Sequence, residues 1–235
     1  MLSRVGRSLQ LTGMTEHLPA AVLWDMDGTL VDTEPAWLAA EAALVEQFGG
    51  VWHHEDSVQL IGQGLSVTAR LMQTRGVDLP EREIIERLTA IVLQQIEVEI
   101  PWRPGARELL SELRDAGVPT ALVTMSIRPL AERMVAGMGF TAFDHIVSGD
   151  DVERPKPDPE PYLRAAALLG VDITDCVAIE DSLPGVQSAV NSGAHVIGVP
   201  NIVQLPEQPG VTLWPSLAGR TVADIAAKYT DGAAR

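Results

Sequence analysis

Two carboxylates one residue apart, Asp25 and Asp27, follow the apolar run Ala21, Val22, Leu23, Trp24 and stand just before Gly28. Four consecutive apolar residues are enough for a buried strand, and Gly28 breaks it. Paired acids at the end of a buried strand are costly to desolvate, and a fold accepts that cost when a metal or a reaction uses the charge. Three further polar features also follow apolar runs: Thr124 with Ser126 after ALV, Lys156 in the loop after HIVSGDD, and Glu180 with Asp181 after CVAI. Each has a plainer reading by itself. Asp-Gly is a common turn dipeptide, Thr is at home at a strand end, a loop lysine is ordinarily solvated, and Asp181 or Ser182 suits a helix cap. Their joint occurrence at strand ends is what argues for a site.

The elements that must position these groups are visible in the hydrophobic pattern. After Thr33, a candidate cap, and Pro35, the residues Trp37, Leu38, Ala40, Ala43, Leu44, Val45 and Phe48 fall on helical spacing until Gly49-Gly50. Helical stretches over residues 66–74 and 81–98 follow, so the segment up to residue 100 reads as all-helical. Beyond the joint PWRPG at residues 101–105, helices and short apolar strands alternate, which implies a parallel sheet with helices on both faces. The expected fold is therefore α/β, a Rossmann-like parallel sheet flanked by helices with an inserted helical cap. The core takes residues 20–33 and 102–235, and the cap takes residues 34–101, with hinges near Thr33 and Pro101. In an open parallel sheet, ligands bind beyond the carboxyl ends of the strands, where all four polar features lie.

Composition narrows the function. A formal net charge of -15 over 235 residues argues against a nucleic-acid partner, which usually meets a basic face. A small phosphorylated metabolite stays compatible, since a metal and a few local cations can hold it. No apolar run approaches the ~20 residues of a bilayer span, so a soluble chain with no membrane partner is expected. The single cysteine, Cys176, lies in an apolar run, reads as core filler and points to a reducing, cytoplasmic setting. Residues 1–19 lack the long apolar middle of a secretory signal and read as a disordered extension, with Met14 as an alternative start.

The motifs DMDGTLVDTE, ALVTMS, RPKPDP and IEDSLPG occur in the order, and at the strand ends, of the four motifs of the haloacid dehalogenase-like phosphohydrolases, which this chain resembles over residues 20–200. The resemblance implies catalytic roles for Asp25, Asp27, Thr124 and Lys156. Asp25 attacks phosphorus to form an aspartyl-phosphate; Asp27 protonates the leaving alkoxide and then deprotonates water. It further implies Mg²⁺ held by an Asp25 carboxylate oxygen, the Asp27 main-chain carbonyl and Asp181, with Glu180 beside it or bound through water. Thr124 and Lys156 grip phosphoryl oxygens, and Lys156 screens Asp25 from its neighbouring acids. Such residue types suit the task, because an anionic ester resists an anionic nucleophile unless a hard cation and a fixed charge offset the repulsion.

Departures from the family's branches sharpen the expectation. Its dehalogenases lack the acid that stands here as Asp27. Its β-phosphoglucomutases carry a His where this chain has Trp37, and its phosphonate hydrolases use a cap lysine, whereas residues 34–100 contain no Lys. The expected activity is Mg²⁺-dependent hydrolysis of a small phosphate monoester, a sugar or polyol phosphate. The alternatives are a β-phosphoglucomutase-like isomerase and a catalytically idle binding or regulatory protein on the same fold. Candidate substrate contacts are Ser126, Gln63, Glu34 and Trp37. Ser126 touches the phosphate or else caps a helix before Pro129. Gln63 meets a hydroxyl or sits in a plain turn, and Trp37 packs the hinge or walls the substrate. Arg70 reads as a surface residue, His53-His54-Glu55-Asp56 as a solvated loop, and Asp150 with Asp151 as braces for the loop that carries Lys156. Asp158 reads as a helix N-cap. A monomer is expected, with a dimer as the alternative.

Overall fold

The computed structural model describes residues 8–11, 14–96 and 99–233. In chain order these form β1 (Ser8–Leu11), β2 (Met14–His17) and β3 (Ala21–Trp24), then four helices, α1 (Glu34–Gln47), α2 (His54–Val58), α3 (Leu65–Thr74) and α4 (Glu81–Ile96). Alternation follows: α5 (Ala106–Asp115), β4 (Thr120–Val123), α6 (Arg128–Gly137), β5 (His145–Val147), α7 (Glu160–Leu169), β6 (Cys176–Glu180), α8 (Leu183–Ser192), β7 (His195–Gly198), β8 (Val211–Leu213) and α9 (Val222–Ala233).

The six strands β5-β4-β3-β6-β7-β8 make one sheet, parallel at every pairing. β3, β4 and β6 are buried along their whole length, the mark of strands covered on both faces. Side chains alternate between two cores. Val22, Trp24, Leu122, Val177 and Ile179 face one, with the inner sides of α5 and α9; Leu23, Ala121, Val123, Ala178 and Tyr162 face the other. Each fully buried Val, Leu or Ile stabilises the fold by about 1.5–3 kcal/mol. Trp24 pairs in register with Leu122 on one side and Ile179 on the other, so the ends of β3, β4 and β6 open at one level. The carboxylates after β3 and β6 and the hydroxyls after β4 are thereby neighbours.

Helices α1–α4 are inserted between β3 and α5 and pack through Leu44, Val45, Met72, Ile84, Leu88 and Val92. The two connecting segments run side by side. Val31 bridges Trp102, Asp32 N–H donates to Pro101 O at 2.7 Å and Arg103 N–H to Leu30 O at 3.0 Å. Arg103 Nη1 reaches Asn201 Oδ1 at 2.8 Å, and Asn201 Nδ2 reaches Asp32 Oδ1 at 3.2 Å, which ties both segments to the loop after β7.

Several local expectations differ from the structure. Within residues 1–19, read as a disordered extension, β1 and β2 pair antiparallel; residues 1–7 and 12–13 lie outside the described residues. His54–Val58 is a short helix rather than a loop. Asp158 is not the N-cap of α7, which is Pro159, yet its Oδ1 still accepts from Glu160 N–H at 3.0 Å. Thr33 stands at the N-cap of α1 without a side-chain capping bond, because its hydroxyl is used in the site.

Candidate active site

Asp25 leaves β3 with its N–H on Ile179 O at 3.0 Å, and its carboxylate is buried against Lys156. Lys156 Nζ donates to Asp25 Oδ1 at 2.7 Å, Glu180 Oε1 at 2.6 Å and Val123 O at 2.9 Å, so all three of its protons are committed. Glu180 Oε1 also accepts from Tyr162 OH at 2.6 Å, while its Oε2 accepts from Asp181 N–H at 3.2 Å and Ser182 Oγ at 3.3 Å. With four protein donors, Glu180 is a brace for Lys156 and the following turn more than an open ligand. Asp181 receives Thr29 Oγ1 on Oδ1 at 3.0 Å.

Asp27 points the other way. Its Oδ1 accepts from Thr33 Oγ1 at 2.5 Å and Trp37 Nε1 at 3.1 Å, and its Oδ2 from Ser126 Oγ at 2.8 Å and Thr124 Oγ1 at 3.2 Å. Ser126 therefore does not cap α6, whose N-cap is Ile127. Trp37 is packed in the core cluster and also lines the cavity.

The electrostatics follow from burial and crowding. Burial, with Glu180 next, pushes Asp25 up to about 7 against the pull of Lys156. Asp181 is raised well above the carboxylate range by burial, then by Asp25 and Glu180. Burial alone would lower Lys156, but Asp25 and Glu180 outweigh it and raise the ammonium. Asp25, Glu180 and Asp181 each bring an oxygen within 4.8 Å of the others, three acids against one ammonium. Such a hard, oxygen-only, negatively charged set fits a divalent cation like Mg²⁺. The space is shaped for the acids: Gly28 has φ +85°, and a Cβ there would stand 2.2 Å from Asp181 Oδ2. Cys176 plays no part, a buried thiol pushed up to about 12 by burial.

A cavity of about 60 Å³ lies over Asp25, Asp27, Thr124 and Ser126 and is roofed from the helical insert by Glu34, Trp37, Glu41, Leu60, Ile61 and Gln63. The insert rests on the acid loop, since a Cβ at Gly62 (φ +78°) would meet Ser182 Oγ at 2.1 Å. Gln63 lines this roof with its amide nitrogen on Gln59 O at 2.7 Å. Arg70 stays outside, paired with Glu81 at 3.5 Å, and His53 and His54 are exposed. Asp151 accepts from Ser148 N–H at 2.8 Å and from Arg128, and Asp150 from Arg128 N–H at 2.8 Å, bracing the turn after β5.

Four polar partners escaped sequence reasoning: Thr29, Glu41, Ser57 and Tyr162. Glu41 had a readable signal, an acid seven residues after Glu34 on the face that also carries Trp37, Ala40 and Leu44. Tyr162 had a weaker one, a hydroxyl on the same face of α7 as Ala165 and Ala166.

Residues 19–193 match the family model for haloacid dehalogenase-like hydrolases. Hexitol phosphatase B of Escherichia coli is 30% identical over 184 residues, 77% of this chain and 83% of that protein. The bifunctional riboflavin kinase/FMN phosphatase of Arabidopsis thaliana is 31% identical over 204 residues, 85% of this chain; the chain spans about half (52%) of that relative's length. Among solved structures, CbbY from Rhodobacter sphaeroides in complex with phosphate superposes with a TM-score of 0.78 at 29% identity, covering 86% of this chain and 96% of that one. A site built from DxDGT, Thr124, Lys156 and Glu180-Asp181, on a six-stranded parallel sheet, and a family match over most of its length lead to one conclusion: the chain belongs to the haloacid dehalogenase-like hydrolases.

Proposed function

We propose that this chain is a Mg²⁺-dependent phosphatase that hydrolyses a small phosphate monoester, a sugar or polyol phosphate, through a phosphorylated Asp25. The observation that carries the reading is the division of labour between two adjacent acids. Asp25 is held by the Lys156 ammonium beside Asp181, while Asp27 is held by four neutral donors facing the cavity.

In the first half-reaction an Asp25 oxygen forms a bond to phosphorus as the phosphorus–alkoxide bond breaks, and Asp27 delivers its proton to the departing oxygen. In the second, Asp27 takes a proton from water, the water oxygen bonds phosphorus, and the bond to Asp25 breaks. Lys156 keeps Asp25 oriented and offsets charge on the phosphoryl group. Thr124 and Ser126, bound to Asp27 here, are within reach of phosphoryl oxygens once substrate arrives. Asp25, Asp181 and the Asp27 carbonyl would hold Mg²⁺, with Glu180 behind them; the ion supplies charge neutralisation for an anion meeting an anion.

Transfer goes to water rather than to a second sugar position, because Trp37 offers Asp27 an indole N–H where the mutases of this family carry His. The helical insert acts as a lid over residues 25–27 and excludes bulk solvent. A monomer in the cytoplasm completes the reading; among the described residues no helix is long and apolar enough to cross a membrane. The test is phosphate release from nitrophenyl phosphate and a panel of sugar, polyol, nucleotide and glycolate phosphates, with and without EDTA. Release that persists in EDTA, or none from any ester with Mg²⁺ present, contradicts the reading.

A further inference from the structure

The chamber that receives the leaving alcohol is electrostatically one-sided. Glu34, the first residue of α1, is 5% exposed and lines the cavity beside Asp25 and Asp27; among the described residues no hydrogen bond reaches either of its oxygens, and they are not sealed from the cavity. Buried carboxyl groups are ordinarily bonded, so an open one aimed into a cavity points to a ligand that completes it. Glu41, two turns along the same face, is already satisfied: Ser57 Oγ donates to its Oε2 at 2.5 Å and itself accepts from Trp52 Nε1 at 2.8 Å.

Around Glu34 the lining mixes the apolar Trp37, Leu60, Ile61 and Leu65 with the neutral polar Ser57, Gln63 and Thr68, and none of the described lining residues is Lys, Arg or His. The site's fixed cation, Lys156, lies behind Asp25 with its three protons spent. Positive charge is thus confined to the phosphoryl end, and the alcohol end has acids, neutral polar groups and hydrocarbon.

We propose that this chamber selects an uncharged alcohol on a single phosphate, with a hydroxyl of that alcohol hydrogen-bonded to Glu34, and that it rejects esters bearing a second phosphate or a carboxylate. The proposal rests on the phosphatase reading and adds the charge and polarity of the substrate. A second anion would be buried with no cation to replace its water, which is strongly unfavourable whether Glu34 carries a charge or a proton. Where Glu34 is ionised, an anion about 6 Å from it at an effective dielectric near 20 is disfavoured about 100-fold; where it is protonated, the uncompensated loss of hydration carries the rejection.

The experiment measures kcat/KM of the Mg²⁺-loaded full chain for a hexitol 6-phosphate, a hexose 1,6-bisphosphate, phosphoglycolate and nitrophenyl phosphate. Alongside it, calorimetry measures binding of the hexitol phosphate and the bisphosphate to Asp25→Asn. The hexitol phosphate is expected to exceed both competitors that carry a second anionic group by about 100-fold in kcat/KM, with the same order of preference in binding. Glu34→Leu should lower the ratio of hexitol phosphate to nitrophenyl phosphate turnover about tenfold, the value of one hydrogen bond, and Glu34→Gln should retain most of it. Comparable handling of the bisphosphate or phosphoglycolate, or an unchanged ratio in Glu34→Leu, overturns the proposal. If none of the four esters is hydrolysed, the phosphatase reading fails by itself. The binding preference of Asp25→Asn then decides the chamber's selectivity, and no preference, or no binding, overturns it.

Discussion

Replacing Lys156 by Met removes the charge while keeping the length of the side chain. The structure sets the cost. Nζ makes three bonds of 2.6–2.9 Å in a buried place, two of them to carboxylates, and Met leaves Asp25, Glu180 and the Val123 carbonyl without that donor. Breaking a buried pair in this way costs about 3–5 kcal/mol. For a chain of this size 1 kcal/mol corresponds to about 2–4 °C in Tm, so the metal-free variant should melt about 6–20 °C below the parent at pH 8.5. The loss should shrink at pH 5.5, and the sign follows from the acids. Asp25 is already pushed up to about 7 with Lys156 present, and it moves higher without it. An acid raised in the folded state contributes stability below its unfolded pKa and loses it as pH rises through the folded one. At pH 5.5 Asp25 is protonated in both proteins and misses the ammonium least. Thermal melts in EDTA at the two pH values read the difference. An equal loss at both, or none at pH 8.5, refutes the assignment of Lys156 as the counter-charge of this cluster.

Asp27→Asn should slow turnover about 10²–10⁴-fold, more for an alkyl than for a nitrophenyl ester, because the poorer leaving group needs the proton most; equal losses on both esters would count against an acid–base role. Tyr162→Phe removes one of four donors to Glu180 and should cost about 1 kcal/mol in a denaturant titration with kcat reduced less than tenfold, and a neutral effect on both would leave Tyr162 without a positioning role. Burial, aided by neighbouring acids, pushes Glu34 up to about 8, and burial pushes Glu41 up to about 7, as it does Asp25. The metal-free protein should therefore lose stability as pH rises from about 5 to 8.5, by about 1.4 kcal/mol per pH unit for each group titrating. Mg²⁺ should raise Tm more at pH 8 than at pH 5.5, and a metal-free Tm that climbs over this range contradicts the raised values.

The central sheet was legible because β3, β4 and β6 are apolar runs ended by polar residues, a pattern that serves both burial and catalysis. The site came with it: once those strands pair in parallel, Asp25, Thr124 and Glu180-Asp181 must share one edge. The short terminal pieces were harder. β8 is three half-buried residues with no alternation to read, whereas α9 buries Val222, Ile225 and Ala226 at helical spacing and was within reach. Which partner each polar side chain meets was not legible. Nothing in the order of residues indicates that Thr33, Trp37, Thr124 and Ser126 converge on Asp27, or that Glu180 spends its oxygens on Lys156 and Tyr162. Those directions depend on how α1, and α7 with the loop before it, dock against the strand ends, a packing outcome rather than a local preference.

The most direct test of the account is to quench the enzyme in acid during turnover of a radiolabelled phosphate ester with Mg²⁺ and to map the labelled peptide. The account predicts an acid-stable, base-labile label on the peptide containing Asp25, missing from Asp25→Asn and, with a nitrophenyl ester whose departure needs the proton least, accumulating further in Asp27→Asn. Label on any other residue, or wild-type turnover by Asp25→Asn, would contradict it.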